Sequence, residues 1–208
     1  CQLFGRAAAD GIGMNLFPFF EDIEGKIFLI AGGGRVAERK ARVLLGFGAD
    51  VLVIAPQIAM EGKRLKYCPY MAADVGWGEP VSRNLGEKER QRLREEVHTA
   101  RGVCVLEKEI AREDVLLGDY VIAATDSREV NEAVAAACQK KGIPVNVVDE
   151  PALCTFFFPS VIKRGPLTVG ITTGGSSPSA SRLLRERMEA LLPQETEEIL
   201  ERLEGFRQ

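Results

Sequence analysis

Two short stretches of this chain hold residue types whose order could do chemistry: Gly32-Gly33-Gly34-Arg35-Val36-Ala37 and Asn146-Val147-Val148-Asp149-Glu150-Pro151. In the first, Gly32-x-Gly34-x-x-Ala37 is the Ala-ended form of a phosphate-cradling turn. The first glycine permits a tight bend out of a strand. The second lets the backbone meet a pyrophosphate, and the small third residue lets the following helix pack closely. Free N–H groups and the positive end of the helix dipole then face the anion. An ordinary glycine-rich turn between strand and helix can carry the same letters, so context decides. In the second stretch, two carboxylates sit just past an apolar run. A carboxylate there can accept a proton when a hydride leaves the neighbouring carbon, although an Asp ahead of a Pro also simply forms loops. Asp149 is the candidate base, with Glu150 second.

The elements around these residues supply the context. Lys26 to Ala31 is an apolar run of strand formers ending at the glycines. Val36 to Leu45 has helical spacing and stops at Gly46 and Gly48, and Val51 to Ile54 is a second buried strand before Pro56. Strand, helix and strand in so few residues make a parallel βαβ unit. Val103 to Leu106, Tyr120 to Thr125 and Val145 to Val148 add three strands, with a short helix near Arg112 to Leu117. A longer helix opens at Asp126-Ser127, where Asp126 and Glu129 have capping-box spacing, and closes at Gly142. The fold class is α/β, a Rossmann-type doubly wound parallel sheet. Its carboxyl edge gathers the candidate dinucleotide contacts Gly32, Gly33, Gly34, Arg35, Val36, Ala37, Ala55, Pro56, Thr125 and Asp126, the last of which could equally serve as a cap. The second strand ends Ala55-Pro56 without an acid for the ribose 2′-hydroxyl or an Arg for a 2′-phosphate, which leaves the choice between NAD and NADP open.

Between these elements, Tyr67 to Pro80 reads as a loop or insertion and Gly86 to His98 as an exposed charged helix with His98 solvated. After Asp149 the pattern changes. Phe156-Phe157-Phe158 and Leu167 to Ile171 read as strands of a small hairpin. Thr173-Gly174-Gly175-Ser176-Ser177 leads into a helix over Pro178–Leu192, capped by Ser177, and a second helix covers Glu195–Leu203.

Composition narrows the function classes. The formal net charge of −3 recommends neither nucleic acid nor an anionic membrane as partner, and no apolar run reaches the roughly 20 residues that span a bilayer. The five cysteines are scattered without a CxxC pair, which fits neither a disulfide framework nor a structural zinc site. A cytoplasmic protein without a bound metal is the expectation. Residues 1–13, rich in Ala and Gly, read as a tag or upstream extension.

With these residues in view, the chain resembles the precorrin-2 dehydrogenase family, the NAD-dependent unit of siroheme synthesis. The resemblance is carried by Phe17-Pro18-Phe19-Phe20, Gly32 through Lys40, Ala124-Thr125-Asp126, Asn146-Val147-Val148-Asp149, Phe157-Phe158-Pro159-Ser160, Thr173 through Pro178 and Arg182-Leu183-Leu184-Arg185. It implies oxidation of precorrin-2 to sirohydrochlorin with NAD as hydride acceptor, and in some members iron insertion as well. It also implies that Asp149 is the essential carboxylate, as general base or as a partner in metal insertion. A homodimer formed through the segment after the Rossmann domain is implied too. The expected organisation is then residues 14–150 for the NAD-binding domain, 151–177 for a small α+β dimerisation element and 178–208 for C-terminal helices. A tetrapyrrole polycarboxylate would meet Thr173, Gly174, Gly175, Ser176 and Arg182, with Lys163, Arg164, Arg185 and Arg187 adding positive charge or forming a solvated helix face. A non-catalytic NAD-sensing module is the reading from another class.

Overall fold

The computed structural model describes residues 16–58, 67–68, 86–100 and 102–205. The readings of residues 1–13 and of most of Tyr67–Pro80 fall outside them. The chain divides into two units, residues 21–156 and residues 1–20 with 157–208.

In the first unit the apolar runs become parallel strands with water excluded from both faces, the usual reason such strands read as unbroken hydrophobic stretches. They are β1 (Ile27–Ala31), β2 (Asp50–Ala55), β3 (Tyr67–Cys68), β4 (Val103–Glu107), β5 (Tyr120–Ala123) and β6 (Val145–Val147). All pairings are parallel and the order is β3-β4-β2-β1-β5-β6. The two-residue edge strand β3 departs from the loop expected at Tyr67: it pairs with Val103 and Cys104, a match too short to leave a sequence pattern.

Ile27, Leu29, Ala31, Leu52 and Ile54 are essentially inaccessible and form one core with Leu93, Val97, Val134 and Cys138. Burying each such Ile or Leu is worth about 1.5–3 kcal/mol relative to exposure. The partners come from α2 (Glu87–Ala100) and α3 (Arg128–Lys141), while α1 (Arg35–Leu45) packs on β1 and β2 through Ala37, Ala41 and Leu44. The charged helix expected near 86–98 is thus present and still buries Leu93 and Val97. His98 is not simply solvated, because its Nδ1 lies 2.6 Å from Asp50 Oδ2. A 3-10 turn over Arg112–Leu117 stands where a short helix was expected.

The chain passes outward from β1 to β2 on one side and returns after β4 to β5 on the other. The order therefore reverses between β1 and β5, and that reversal opens a crevice at the carboxyl edge.

The expected boundary after residue 150 falls instead after Phe156, because the chain beyond Asp149 is bonded back along β6. Thr155 donates its N–H to the Val145 carbonyl at 2.8 Å and accepts the Val145 N–H on Oγ1 at 2.7 Å. The Val147 N–H reaches Cys154 Sγ at 3.2 Å.

In the second unit, β7 (Ser160–Arg164) and β8 (Leu167–Ile171) form an antiparallel hairpin that turns at Gly165 and Pro166. The strand expected at Phe156–Phe158 is absent. Phe156 packs edge-on against Tyr120, its carbonyl accepts from Asn146, and Pro159 has no N–H for a ladder, so pairing starts only at Ser160. α4 (Pro178–Leu191) begins with Ser177 as cap, and α5 (Thr196–Gly205) follows. No helix among the described residues is long and apolar enough to cross a membrane.

Candidate cofactor-binding and catalytic site

Gly32 leaves β1 at φ +118°, in the region L side chains avoid, and a Cβ there would overlap the Ala124 carbonyl at the end of β5. Its N–H is held by the Ile54 carbonyl at 2.9 Å. A Cβ on Gly33 would overlap the Gln57 carbonyl and press on Ala55, so the turn lies directly against the tip of β2. Gly34 differs: nothing stands within 4 Å of where its Cβ would be. It is the N-cap of α1, in extended conformation, and no side chain caps the helix. Arg35 and Val36 are exposed, whereas Ala37 is fully buried and brings α1 close to the sheet. The turn thus has room, unspent amide donors and the positive end of a helix dipole in one place, the requirements of a pyrophosphate. Ala55 is buried and Pro56 exposed beside it.

The loop after β5 is fixed by a residue that sequence reading passed over. Asn131 accepts the Thr125 N–H at 3.1 Å and donates its amide to the Thr125 carbonyl at 3.0 Å. The Thr125 hydroxyl lies 2.8 Å from Asn131 Oδ1 and 3.0 Å from the Ser127 carbonyl. The available signal was a polar residue on the helix face shared by Val134 and Cys138. The capping assignment shifts by one residue. Ser127, not Asp126, caps α3, accepting the Val130 N–H at 3.3 Å, and Glu129 accepts from Ser127 Oγ. Asp126 is left exposed at the carboxyl edge.

Asp149 follows β6 at the same edge. It is the one non-glycine among the described residues with positive φ, +61°, and its side chain is exposed. Backbone strain of this sort costs of order 1–3 kcal/mol and concentrates at functional turns. Glu150 is half-buried and paired with Arg128 at 3.2 Å. Beneath the turn, Lys40 reaches across from the buried face of α1 and donates to Asn146 Oδ1 at 3.0 Å. Burial lowers the Lys40 ammonium to about pKa 8, with Arg39 adding to the shift and Cys154 and Asp149 opposing it. Burial also raises the Cys154 thiol. In the sequence, Lys40 is the last position of the motif that starts at Gly32. The sign of something more was a lysine at a position whose neighbours Ala37, Ala41 and Leu44 are core.

The proposed tetrapyrrole contacts all lie in the second unit. Thr173 Oγ1 accepts the Ser177 N–H, lies 3.1 Å from the Ser177 carbonyl, and lies 3.1 Å from the buried Ser181 hydroxyl. Gly174 and Gly175 both have positive φ, and the Ser176 N–H is held by the Thr173 carbonyl. Arg182 pairs with Glu186 at 2.9 Å, Arg185 with Glu189, and Arg164 with Glu189 at 3.6 Å, so much of the expected positive charge is matched locally. No cluster of three or more His, Cys, Asp or Glu with metal-binding geometry occurs among the described residues.

Known proteins resemble this chain in sequence and in fold. A family model described as "Putative NAD(P)-binding" matches residues 19–160, and one described as "Sirohaem biosynthesis protein central" matches residues 164–191. The chain is 36% identical over 180 residues to a siroheme synthase of Pseudomonas aeruginosa and 41% identical over 181 residues to one of Nitrosomonas eutropha. Each alignment covers 86% of this chain, and the chain spans about a third of those relatives, 32% and 31%. A solved structure titled "SirC, precorrin-2 dehydrogenase" shares the fold at TM-score 0.58 and 20% identity, over 89% of this chain and 76% of that one. The first of these models spans the whole sheet, from the segment before β1 to the start of β7, and the chain belongs to the NAD(P)-binding family that it describes.

Proposed function

We propose that the chain catalyses NAD-dependent oxidation of precorrin-2 to sirohydrochlorin. The observation that carries this reading is a coincidence at one edge of the sheet: an uncapped glycine turn with open space at Gly34, and a carboxylate, Asp149, just past β6. The siroheme synthase relatives support the substrate class. The oxidation removes two hydrogens, one as hydride and one as proton. Bound NAD supplies the hydride acceptor. The amides of Gly33, Gly34 and the first turn of α1 hold its pyrophosphate, and Thr125 and Asp126 border it. Asp149 takes the proton.

The rest of the reading concerns the second unit. Arg182 meets a tetrapyrrole carboxylate by exchanging its Glu186 partner, and the Thr173–Ser176 turn contributes contact surface, its amides being largely engaged within the fold. α4 and α5 present Leu184, Met188, Leu191, Ile199 and Leu203 to solvent, an apolar surface suited to a second copy of the chain. The protein works in the cytoplasm as a homodimer, without nucleic acid or membrane.

The test is a spectroscopic assay with precorrin-2 and NAD, followed by ferrous or cobaltous ion. Formation of sirohydrochlorin and NADH is expected, and metal uptake in the second step would add chelatase activity to the same chain. Asp149→Asn, which tolerates the left-handed backbone, should lower turnover by about a hundredfold or more while leaving NAD affinity intact. Full turnover by that variant would remove Asp149 from the reaction.

A further inference from the structure

We propose that Lys40 is a positioning residue for Asp149, its buried ammonium anchored on Asn146 and presenting positive charge to the turn that carries the acid. This rests on the reading of Asp149 as the base. Lys40 is only 8% exposed, on the helix face otherwise formed by Ala37, Ala41 and Leu44. A buried ammonium is costly unless its charge is satisfied, and an aliphatic residue would fill this position without that cost. The geometry shows where the charge is directed. Asn146 donates its amide to the Phe156 carbonyl at 3.1 Å, which fixes Oδ1 toward Lys40 Nζ, 3.0 Å away. Asn146 lies in β6, and three residues later the chain reaches Asp149 in its left-handed turn. Lys40 thus grips the strand from which Asp149 projects.

Among the described residues, the charged and titratable groups that act on Lys40 include Arg39 on its own helix, Cys154 after the 3-10 turn that follows β6, and Asp149. Burial raises the Cys154 thiol, and Asp149 is a carboxylate that favours the ammonium. Burial, abetted by Arg39, lowers Lys40 to about 8 against the pull of those two groups. The ammonium is therefore present at neutral pH and lost as pH rises through about 8. Asp149 then loses its companion charge, which gives kcat an alkaline limb near that value.

Two measurements test this. In the first, kcat and KM are followed against pH for the wild type, Lys40→Met and Lys40→Arg. Lys40→Met should lower kcat about tenfold with NAD affinity unchanged and no alkaline limb near pH 8. Lys40→Arg, permanently charged, should recover most of kcat and push the limb upward. A loss of thermal stability with an unaltered pH profile would mean that Lys40 only fills space, and would overturn the proposal. The second measurement needs no turnover. In protein labelled uniformly with 13C and 15N, the Lys40 Cε resonance, assigned through its side-chain and backbone correlations, should titrate near pH 8 and shift to lower pH in Asp149→Asn. An unchanged midpoint in that variant would also overturn the proposal, even if neither Lys40 variant folds. Wild-type protein inactive on precorrin-2 but showing the linked titration would sink the proposed reaction and leave the Lys40–Asp149 coupling standing.

Discussion

The chain contains two glycine-rich turns that run from a strand into a helix, Gly32–Gly34 before α1 and Thr173–Ser177 before α4, and their bonding is opposite. In the first, the helix starts on a glycine with no side-chain cap and open space at its Cβ position. In the second, Ser177 caps the helix through the Ala180 N–H, and the Thr173 hydroxyl is engaged with Ser177 and Ser181. Similar composition thus yields one turn whose donors remain for an anion and one whose donors are largely spent inside the fold. What fits a loop to grip a phosphate is the fate of its amides, which a motif alone does not record.

Three substitutions probe the contrast. Gly32→Ala should have the largest effect, since it places a Cβ on the Ala124 carbonyl at a φ that alanine avoids. A loss of roughly 3 kcal/mol in chemical denaturation is expected, with no measurable NAD binding by calorimetry. Gly34→Asp comes next and separates fold from ligand. Its backbone is extended and its surroundings empty, so the variant should fold, and its carboxylate should cap α1 with a gain of about 1 kcal/mol. The same carboxylate would occupy the phosphate position, and NAD affinity should fall by about a hundredfold. Unchanged affinity would mean that the turn does not bind the cofactor. Ser177→Ala should have the smallest effect, a loss of about 1 kcal/mol from the missing cap and no change in NAD affinity. Weakened NAD binding there would erase the distinction between the two turns.

What could be read from the sequence divides along a similar line. Strands β1, β2, β4, β5 and β6 were legible because buried parallel strands are continuous apolar runs, and the glycines between β1 and α1 marked the turn. Local competition blurred finer features. Asp126 and Ser127 are both good caps, and only the structure selects Ser127. The aromatic run at Phe156–Phe158 has high strand propensity, which the ties of Phe156 to Asn146 and the missing N–H of Pro159 override. Contacts between distant residues left the faintest marks. The Lys40–Asn146 bond joins positions 106 apart, and the Asn131 clamp on Thr125 depends on where a loop lies over a helix. Each nonetheless left the same trace, a polar residue on a helix face that is otherwise apolar.

The return of the chain along β6 has a consequence for assembly. Val145 and Val147, which would otherwise offer edge amides to a neighbour, are engaged by Thr155 and Cys154. A foreign strand arriving at that border meets groups already taken, the kind of protection that keeps an open sheet from recruiting others and growing into aggregates. A second molecule meeting the sheet at β6 would therefore find side chains there in place of open backbone groups.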